Sequence, residues 1–452
     1  MAIIPQTQLF SWNQVDASSD MDRLRLALES MPDEPLMRAL EQARKGRRND
    51  YPVRAVWNSV IAGIVFEHHT IESLRRELLR NAELRQVCGF DVFKGEHAVP
   101  KAYVYSRFLN KVFAHQSLLD AMFDELVETL RVLLPGFGER LAIDSKAIDS
   151  HGRPTKDERD DGRRDIDADW GLKKYRGVRE DGTVWEKVKR WFGYKLHLIV
   201  DADYELPISY KVTKASAPDC PELLPMIDEV DRRHPGLLDQ TNYLSADKAY
   251  DSHGNNRQLW QNYKIKPLID IRNTWQDERH LPRQLFPDKV DTIFHTERGD
   301  VLCRCRHGQG EERGNYAPMA FEGFEADRDC LKYRCPAAAH GIECTQRDLC
   351  NGGHHTKHGR IVRVPLDINR RIFTPQARDS KTWKREYRKR SAVERVNSRL
   401  DVSFGFEQHY IRRLKKMRLR CGLALVVMLA MAAGRIRANQ RQHLRSLVAP
   451  AA

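Results

Sequence analysis

The stretch WFGYKLHLIVDADYELPISYKV, residues 191–212, decides the fold. Two apolar runs, Trp191 to Val200 and Leu206 to Val212, flank Asp201-Ala202-Asp203, a pattern that predicts two strands joined by a hairpin-like turn. Upstream, the chain breaks at Pro135-Gly136-Phe137-Gly138, and a first strand candidate follows at Leu141-Ala142-Ile143-Asp144. Downstream, the pattern predicts a helix over 221–230, a strand at Tyr243 to Ala246, a helix over 254–263 and a strand at Ile265 to Ile269. Hairpin strands first, then strands alternating with helices, imply an α/β fold: a mixed sheet with helices packed on it.

The flanking sequence has a different character. Val53, Trp57, Val60, Ile61, Ile64 and Val65 recur at helical spacing, as do Val104, Phe108 and Val112, so residues 1–135 read as an all-helical N-terminal domain. Arg44, Lys45, Arg47 and Arg48 near its start fit either a DNA-binding unit or a packing domain. The sheet-forming core begins over 139–274. Residues 275–360 are rich in Gly, Pro, Cys and His with little periodicity, too long for a bare loop, and read as an inserted irregular Cys-rich subdomain. The core resumes over 361–404, with a strand at Ile361 to Pro365 and a basic helix from Lys381 to Leu400. A basic helical tail, 405–452, ends the chain.

A length of 452 residues suggests two to four domains. Lys and Arg number 76 against 63 Asp and Glu, for a net charge of +13 and a pI near 9.3. From Arg378 onward 19 cations face 5 acids, a net of +14, which leaves −1 for the rest. Such asymmetry points to a polyanionic partner, nucleic acid first, with a merely solvated basic tail as the alternative. No apolar run reaches the roughly 18 residues of a membrane span, and Cys421 to Ala433 reads as a buried helix, so no membrane association is expected. The N-terminus carries no secretory pattern, and the expected location is the cytoplasm, at the nucleoid. An odd count of 9 cysteines argues for reduced thiols or metal ligands over a disulfide framework.

Two aspartates, Asp144 and Asp247, each directly follow a short apolar strand. The C-terminal edge of an open sheet gathers functional groups, although an acid there is also a common turn former. A third acid, Glu394, follows Arg390 by four residues and Tyr387 by seven, so the three share a face of the predicted helix, beside an apolar stripe of Val393, Val396 and Leu400. In order along the chain, Asp144-Ser145-Lys146, GYKLHLIVDADYELP at 193–207, ADKAYDS at 246–252 and the Tyr387-x2-Arg390-x3-Glu394 signature resemble the DDE transposases of bacterial insertion sequences. The matches run across residues 139–401, and the helical region with SRFLNKV at 106–112 resembles the domain these proteins carry before the core. One departure stands out: the family usually has Lys or Arg seven residues after the Glu, and here that place holds Asp401, with Arg399 or Arg395 as substitutes.

The resemblance implies an RNase H-like core and a metal-dependent enzyme that cuts transposon ends and joins them to target DNA. Asp144, Asp247 and Glu394 would hold two Mg²⁺ or Mn²⁺ ions, since paired divalent ions stabilise both the attacking and the leaving oxygen of a phosphodiester. Lys195, His197, Lys248, Tyr387 and Arg390 would touch DNA, although Lys195 and His197 fit equally a sheet edge and a packed strand. The partners implied are double-stranded inverted repeats and target DNA, held by a homodimer. Rival functions are a nuclease without strand transfer and a catalytically dead, DNA-binding regulator. Within the insert, Cys330, Cys335, Cys344 and Cys350 are the best set for a structural Zn²⁺, with unliganded thiols as the alternative.

Overall fold

The computed structural model describes residues 19–44, 50–152, 154, 165–179, 183–272, 275, 281–288, 292–304, 316–341, 344, 350 and 359–445. Two compact units divide the chain: Met1–Phe137, Ser145–Ala217 and Ala392–Ala452 form the first, Gly138–Asp144 and Pro218–Ser391 the second.

In the first unit, seven α-helices precede the sheet among the described residues: α1 (Ser19–Ser30), α2 (Glu34–Gln42), α3 (Val53–Val65), α4 (Ile71–Arg80), α5 (Ala82–Cys88), α6 (Ala102–Ala114) and α7 (Gln116–Leu133). Of the face predicted on α3, Trp57, Val60, Ile61 and Val65 are buried and Val53 and Ile64 half-buried; on α7, Met122, Phe123, Leu126 and Leu130 are buried. Strand β1 (Arg140–Asp149) runs through both units. Its second half neighbours β3 (Val184–Asp201), whose inner half pairs antiparallel with β4 (Leu206–Lys214) and whose outer half pairs with β2 (Asp169–Val178). Gly193 permits the close contact with β1, because a Cβ there would lie 2.1 Å from the Ile148 carbonyl oxygen. The β2–β3 ribbon, absent from the sequence reading, carries exposed Trp170, Leu172, Trp185 and Val188 beside exposed Lys187, Lys189 and Arg190.

Helix α12 (Ser391–Phe404) leads to α13 (Leu414–Arg437), and the sequence-based picture of a basic tail needs correction here. Among the described residues α13 is the one helix long and apolar enough to cross a membrane, yet 89% of its apolar window is buried inside the unit. It packs on α7, α1 and β4, and Gly422 lets it approach β4, since a Cβ would stand 2.5 Å from the Tyr210 hydroxyl. Three of its cations have partners inside the unit, while Lys415, Lys416 and Arg437 are exposed. Arg418 pairs with Asp120 at 2.7 Å, Arg420 donates to the carbonyls of Gly405, Phe406 and Gln408, and buried Arg435 donates to the His443 carbonyl. Arg395, Arg399 and Arg445 converge on Glu205. A count of charges therefore overstates the cationic surface near the C-terminus.

The second unit holds the parallel half of the sheet. The first half of β1 pairs with β5 (Tyr243–Ala246), which pairs with β6 (Lys266–Ile269), while α8 (Leu223–Arg233) and α9 (His253–Tyr263) supply the crossovers that parallel strands require. The sheet is mixed as expected, antiparallel among β2, β3 and β4 and parallel among β1, β5 and β6.

The insert is better ordered than its sequence suggests. Strands β7 (Arg283–Gln284), β8 (Ile293–His295), β9 (Val301–Arg304) and β10 (Tyr316–Pro318) form one small sheet, and β11 (Ala320–Glu325), β12 (Cys330–Arg334) and β13 (Ile361–Pro365) another. Ile293, Val301, Leu331, Tyr333, Val364 and Phe373 build their shared core. Strands of two to six residues are too short to show periodicity, which is why the sequence reads as irregular.

One carboxylate near this core makes stability depend on pH. Asp379 has its Oδ1 buried with no partner among the described residues, and burial, aided by Asp300, raises its pKa from 3.8 to about 6. With the folded pKa above the unfolded one, its contribution is fully present below pH 4 and is lost as pH rises through 6. Asp379→Asn should therefore stabilise the protein at pH 7 by about 2 kcal/mol and flatten stability between pH 4 and 6. Urea titrations of both proteins across that range measure the difference, and an equal slope in both would contradict this account.

Candidate catalytic site

The parallel register sets the geometry of the site. Leu141 faces Leu244, Ala142 faces Ser245 and Ile143 faces Ala246, so the next residues, Asp144 and Asp247, stand side by side where the pairing of β1 with β5 stops; Asp247 follows its strand as expected, whereas Asp144 lies within β1, which continues to Asp149. The sheet beneath them is rigid, because Ile143 and Ala246 are fully buried. Asp247 is held by its backbone role: its Oδ1 accepts from the Ala249 amide at 2.8 Å and caps the turn Lys248–Tyr250. Asp144 keeps 17% of its side chain exposed and lies 3.9 Å from the Arg390 guanidinium.

Helix α11 (Lys381–Tyr387) delivers that arginine. The sequence predicts one continuous helix through Glu394. The structure instead tightens into a 3₁₀ turn at Arg388–Arg390, where the Ser391 hydroxyl donates to the Arg388 carbonyl at 3.0 Å, before α12 begins. Tyr387 stacks on Trp383 with ring centres 4.5 Å apart and shares a hydrogen bond with Arg390. Burial pushes its hydroxyl up to about 12, with Asp270 and Asp247 adding to the rise and Arg390 opposing it.

Three further residues join the site that the sequence reading passed over. Tyr250 is fully buried, and its hydroxyl has no hydrogen-bond partner among the described residues. Burial first, then the negative charges of Asp219, Asp144, Asp247 and Glu222, raise its pKa well above 10. Four carboxylates therefore act on one buried hydroxyl. Asp219 lies five residues beyond the end of β4, ahead of the turn Cys220–Glu222, and its Pro-flanked surroundings gave no strand-end signal in the sequence. An all-oxygen, acid-rich donor set around an orphaned hydroxyl fits a hard divalent cation, which would offset the mutual repulsion of the acids. Among the described residues no three His, Cys, Asp or Glu side chains converge closely enough to coordinate one ion.

The remaining predicted residues have varied fates. Glu394 sits exposed in the first turn of α12, in the first unit. Lys248 is exposed beside Asp247. Lys195 is buried and donates to the Ala217 carbonyl at 2.7 Å, while His197 has no exposed surface and its Nε2 lies 2.9 Å from the Thr213 hydroxyl. Both belong to packing, because the inner half of β3 is buried on its two faces and shows no alternation. Arg395 and Arg399, the suggested stand-ins for the basic residue missing at Asp401, are bound to Glu205 instead. The cation at that place is Lys146, whose Nζ lies 2.5 Å from the Asp401 carboxylate. Cys330 also departs from its expected zinc partners, its thiol donating to Glu325 at 3.7 Å.

A family model described as the transposase DDE domain matches residues 135–430, more than half of the chain. No curated protein matches the sequence. Among solved structures, one similar chain belongs to the cryo-EM structure of piggyBac transposase synaptic complex with hairpin DNA. It has 11% sequence identity and a TM-score of 0.39, with 96% of this chain and 82% of that chain covered.

Proposed function

Because the chain belongs to the family of DDE-domain transposases, we propose that it cleaves the ends of its own DNA element and joins them to target DNA. The observation that carries this is the pair Asp144 and Asp247, side by side where the parallel pairing of β1 and β5 stops, with Arg390 beside the first. Members of the family use divalent metal ions, and the proposed ions are two Mg²⁺ or Mn²⁺. Such ions, when bound, activate the attacking oxygen and offset charge on the leaving one. Glu394 is the proposed third carboxylate. It follows Arg390 by one helical turn in the sequence and completes the signature that the family resemblance supplies.

The chain's own residues then have distinct tasks. Asp144 and Asp247 present oxygens on a backbone that the sheet holds still. Arg390, fixed by Tyr387, is placed to grip a phosphate through its guanidinium, which orients the scissile strand without reading its sequence. Lys248 adds a second phosphate contact. Lys187, Lys189 and Arg190 on the β2–β3 ribbon, with Trp185 among them, offer a further duplex-binding surface. A homodimer that holds two ends at once, acting in the cytoplasm of a bacterial cell, completes the proposal.

The test is incubation of the protein with labelled duplexes spanning each boundary of the element, a supercoiled target plasmid and Mg²⁺ or Mn²⁺. Covalent joining of donor 3′ ends to the plasmid is the expected result. Nicking without joining would identify a nuclease, and binding without nicking under either ion would identify a regulator; both overturn the proposal.

A further inference from the structure

We propose that Cys303, Cys335, Cys344 and Cys350 hold one structural Zn²⁺ in the insert. All four border a single cavity of about 40 Å³ in the second unit. The sequence grouped Cys335, Cys344 and Cys350 with Cys330, whereas the cavity puts Cys303 in that fourth place, and the four reach it by different routes. Cys303 is on β9, in register with Ile293 on one neighbour and Ala317 on the other. Cys335 directly follows β12, its amide donating to the Arg360 carbonyl at 2.8 Å. Cys344 and Cys350 lie beyond α10 (Pro336–His340), in a stretch with little apolar material to hold it against the sheets.

The surroundings suit thiolates. Arg304 and Arg360 border the same cavity, and two guanidinium groups are the charge complement of a Zn²⁺ with four thiolates, which carries a net −2. Gly359 adopts φ +65° where a Cβ would lie 2.8 Å from that of Cys335, so only a residue without a side chain lets the returning strand pass over this thiol. Soft sulfur donors without an oxygen ligand select zinc over the hard ions of the catalytic site. The four residues border the cavity without converging closely enough to coordinate an ion, so binding must bring the thiols to about 2.3 Å from it. Such a site would tie Cys344 and Cys350 to both small sheets. Cys330, the residue favoured by spacing, does not border the cavity and is spent on Glu325.

Metal content tests this independently of DNA chemistry. Full-length protein purified without chelators should contain about one zinc per chain, falling to below roughly 0.2 in Cys335→Ser, Cys344→Ser and Cys350→Ser but not in Cys330→Ser. Should those variants fold poorly, the wild-type protein still decides: Co²⁺ exchanged for zinc should give the intense near-ultraviolet charge-transfer band and visible d–d bands of a tetrahedral thiolate site. Cys305 lies outside the described residues, and Cys305→Ser should keep its zinc, whereas Cys303→Ser should not. Protein free of zinc, four readily alkylated thiols, disulfides among the four cysteines, or zinc lost in Cys330→Ser would each overturn the assignment. Loss of transposition with zinc intact would bear on the proposed function and leave this site standing.

Discussion

Asp144→Asn and Asp247→Asn should each reduce end cleavage by on the order of 10³-fold or more while DNA binding changes less than about threefold. Asparagine is the informative replacement because it keeps shape and acceptor while removing charge. At position 247 its side-chain oxygen still accepts from the Ala249 amide, so the cap on the following turn survives. At position 144 the substitution removes a charge that approaches a guanidinium at 3.9 Å, a weak contact for a partly exposed pair. Neither change should lower stability by more than about 1 kcal/mol, so lost cutting cannot be ascribed to unfolding. Removing one of two adjacent carboxylates also lessens their mutual repulsion, which acts in the stabilising direction. Single-turnover cleavage rates with gel-shift affinities measure both quantities. Cutting within tenfold of wild type by either variant would remove that aspartate from the chemistry.

The sequence showed this pair as two acids after two strands, and that much was legible because short apolar runs ending in Asp are a local pattern. What sequence could not show was the register, set by which strands become neighbours, and register is what makes the two residues adjacent. The contributions of Asp219, Glu222 and Tyr250 were lost for the same reason: they are assembled by tertiary contacts. Lys195 and His197 were misleading because a strand covered on both faces has no alternation to separate packing residues from exposed ones. The β2–β3 ribbon escaped notice because its side chains are mostly charged and exposed, and Gly171 and Gly177 interrupt the pattern; each glycine in fact lies under a tryptophan, Trp191 and Trp185, where a Cβ would collide with the ring. Charge counting failed in another way. It registered the arginines from 378 onward but not the carbonyls, Asp120 and Glu205 that occupy them within the fold.

Glu205→Ala should lower the stability of the first unit by about 3–5 kcal/mol, the largest loss expected from a single surface-loop residue here. Glu205 sits in the turn between β3 and β4 with φ +58°, and only 5% of its side chain is exposed. Its carboxylate accepts from Arg395 at 2.7 Å and Arg399 at 3.1 Å, with Arg445 at 3.4 Å. The three arginines do not contribute equally. Arg395 and Arg445 are at least half exposed and can turn to water, so their pairs are worth little. Arg399 is only 11% exposed, and burial lowers its pKa to about 10 against the opposing pull of Glu205. Without Glu205 it becomes a buried cation with no acid opposite it, retaining its 2.6 Å bond to the backbone carbonyl of residue 205. Alanine bears the same left-handed backbone cost as glutamate, so the difference isolates the carboxylate. Glu205→Gly should recover about 1 kcal/mol by relieving that backbone, and Glu205→Gln should fall between wild type and alanine. Because Arg395 and Arg399 both lie on α12, the lost clamp should also loosen the helix that carries Glu394, and cleavage should fall more steeply with temperature in Glu205→Ala than in wild type. Denaturant titrations give the stability order. A loss below about 1 kcal/mol for alanine would show that Arg399 finds water or another partner, and that Glu205 does not anchor α12.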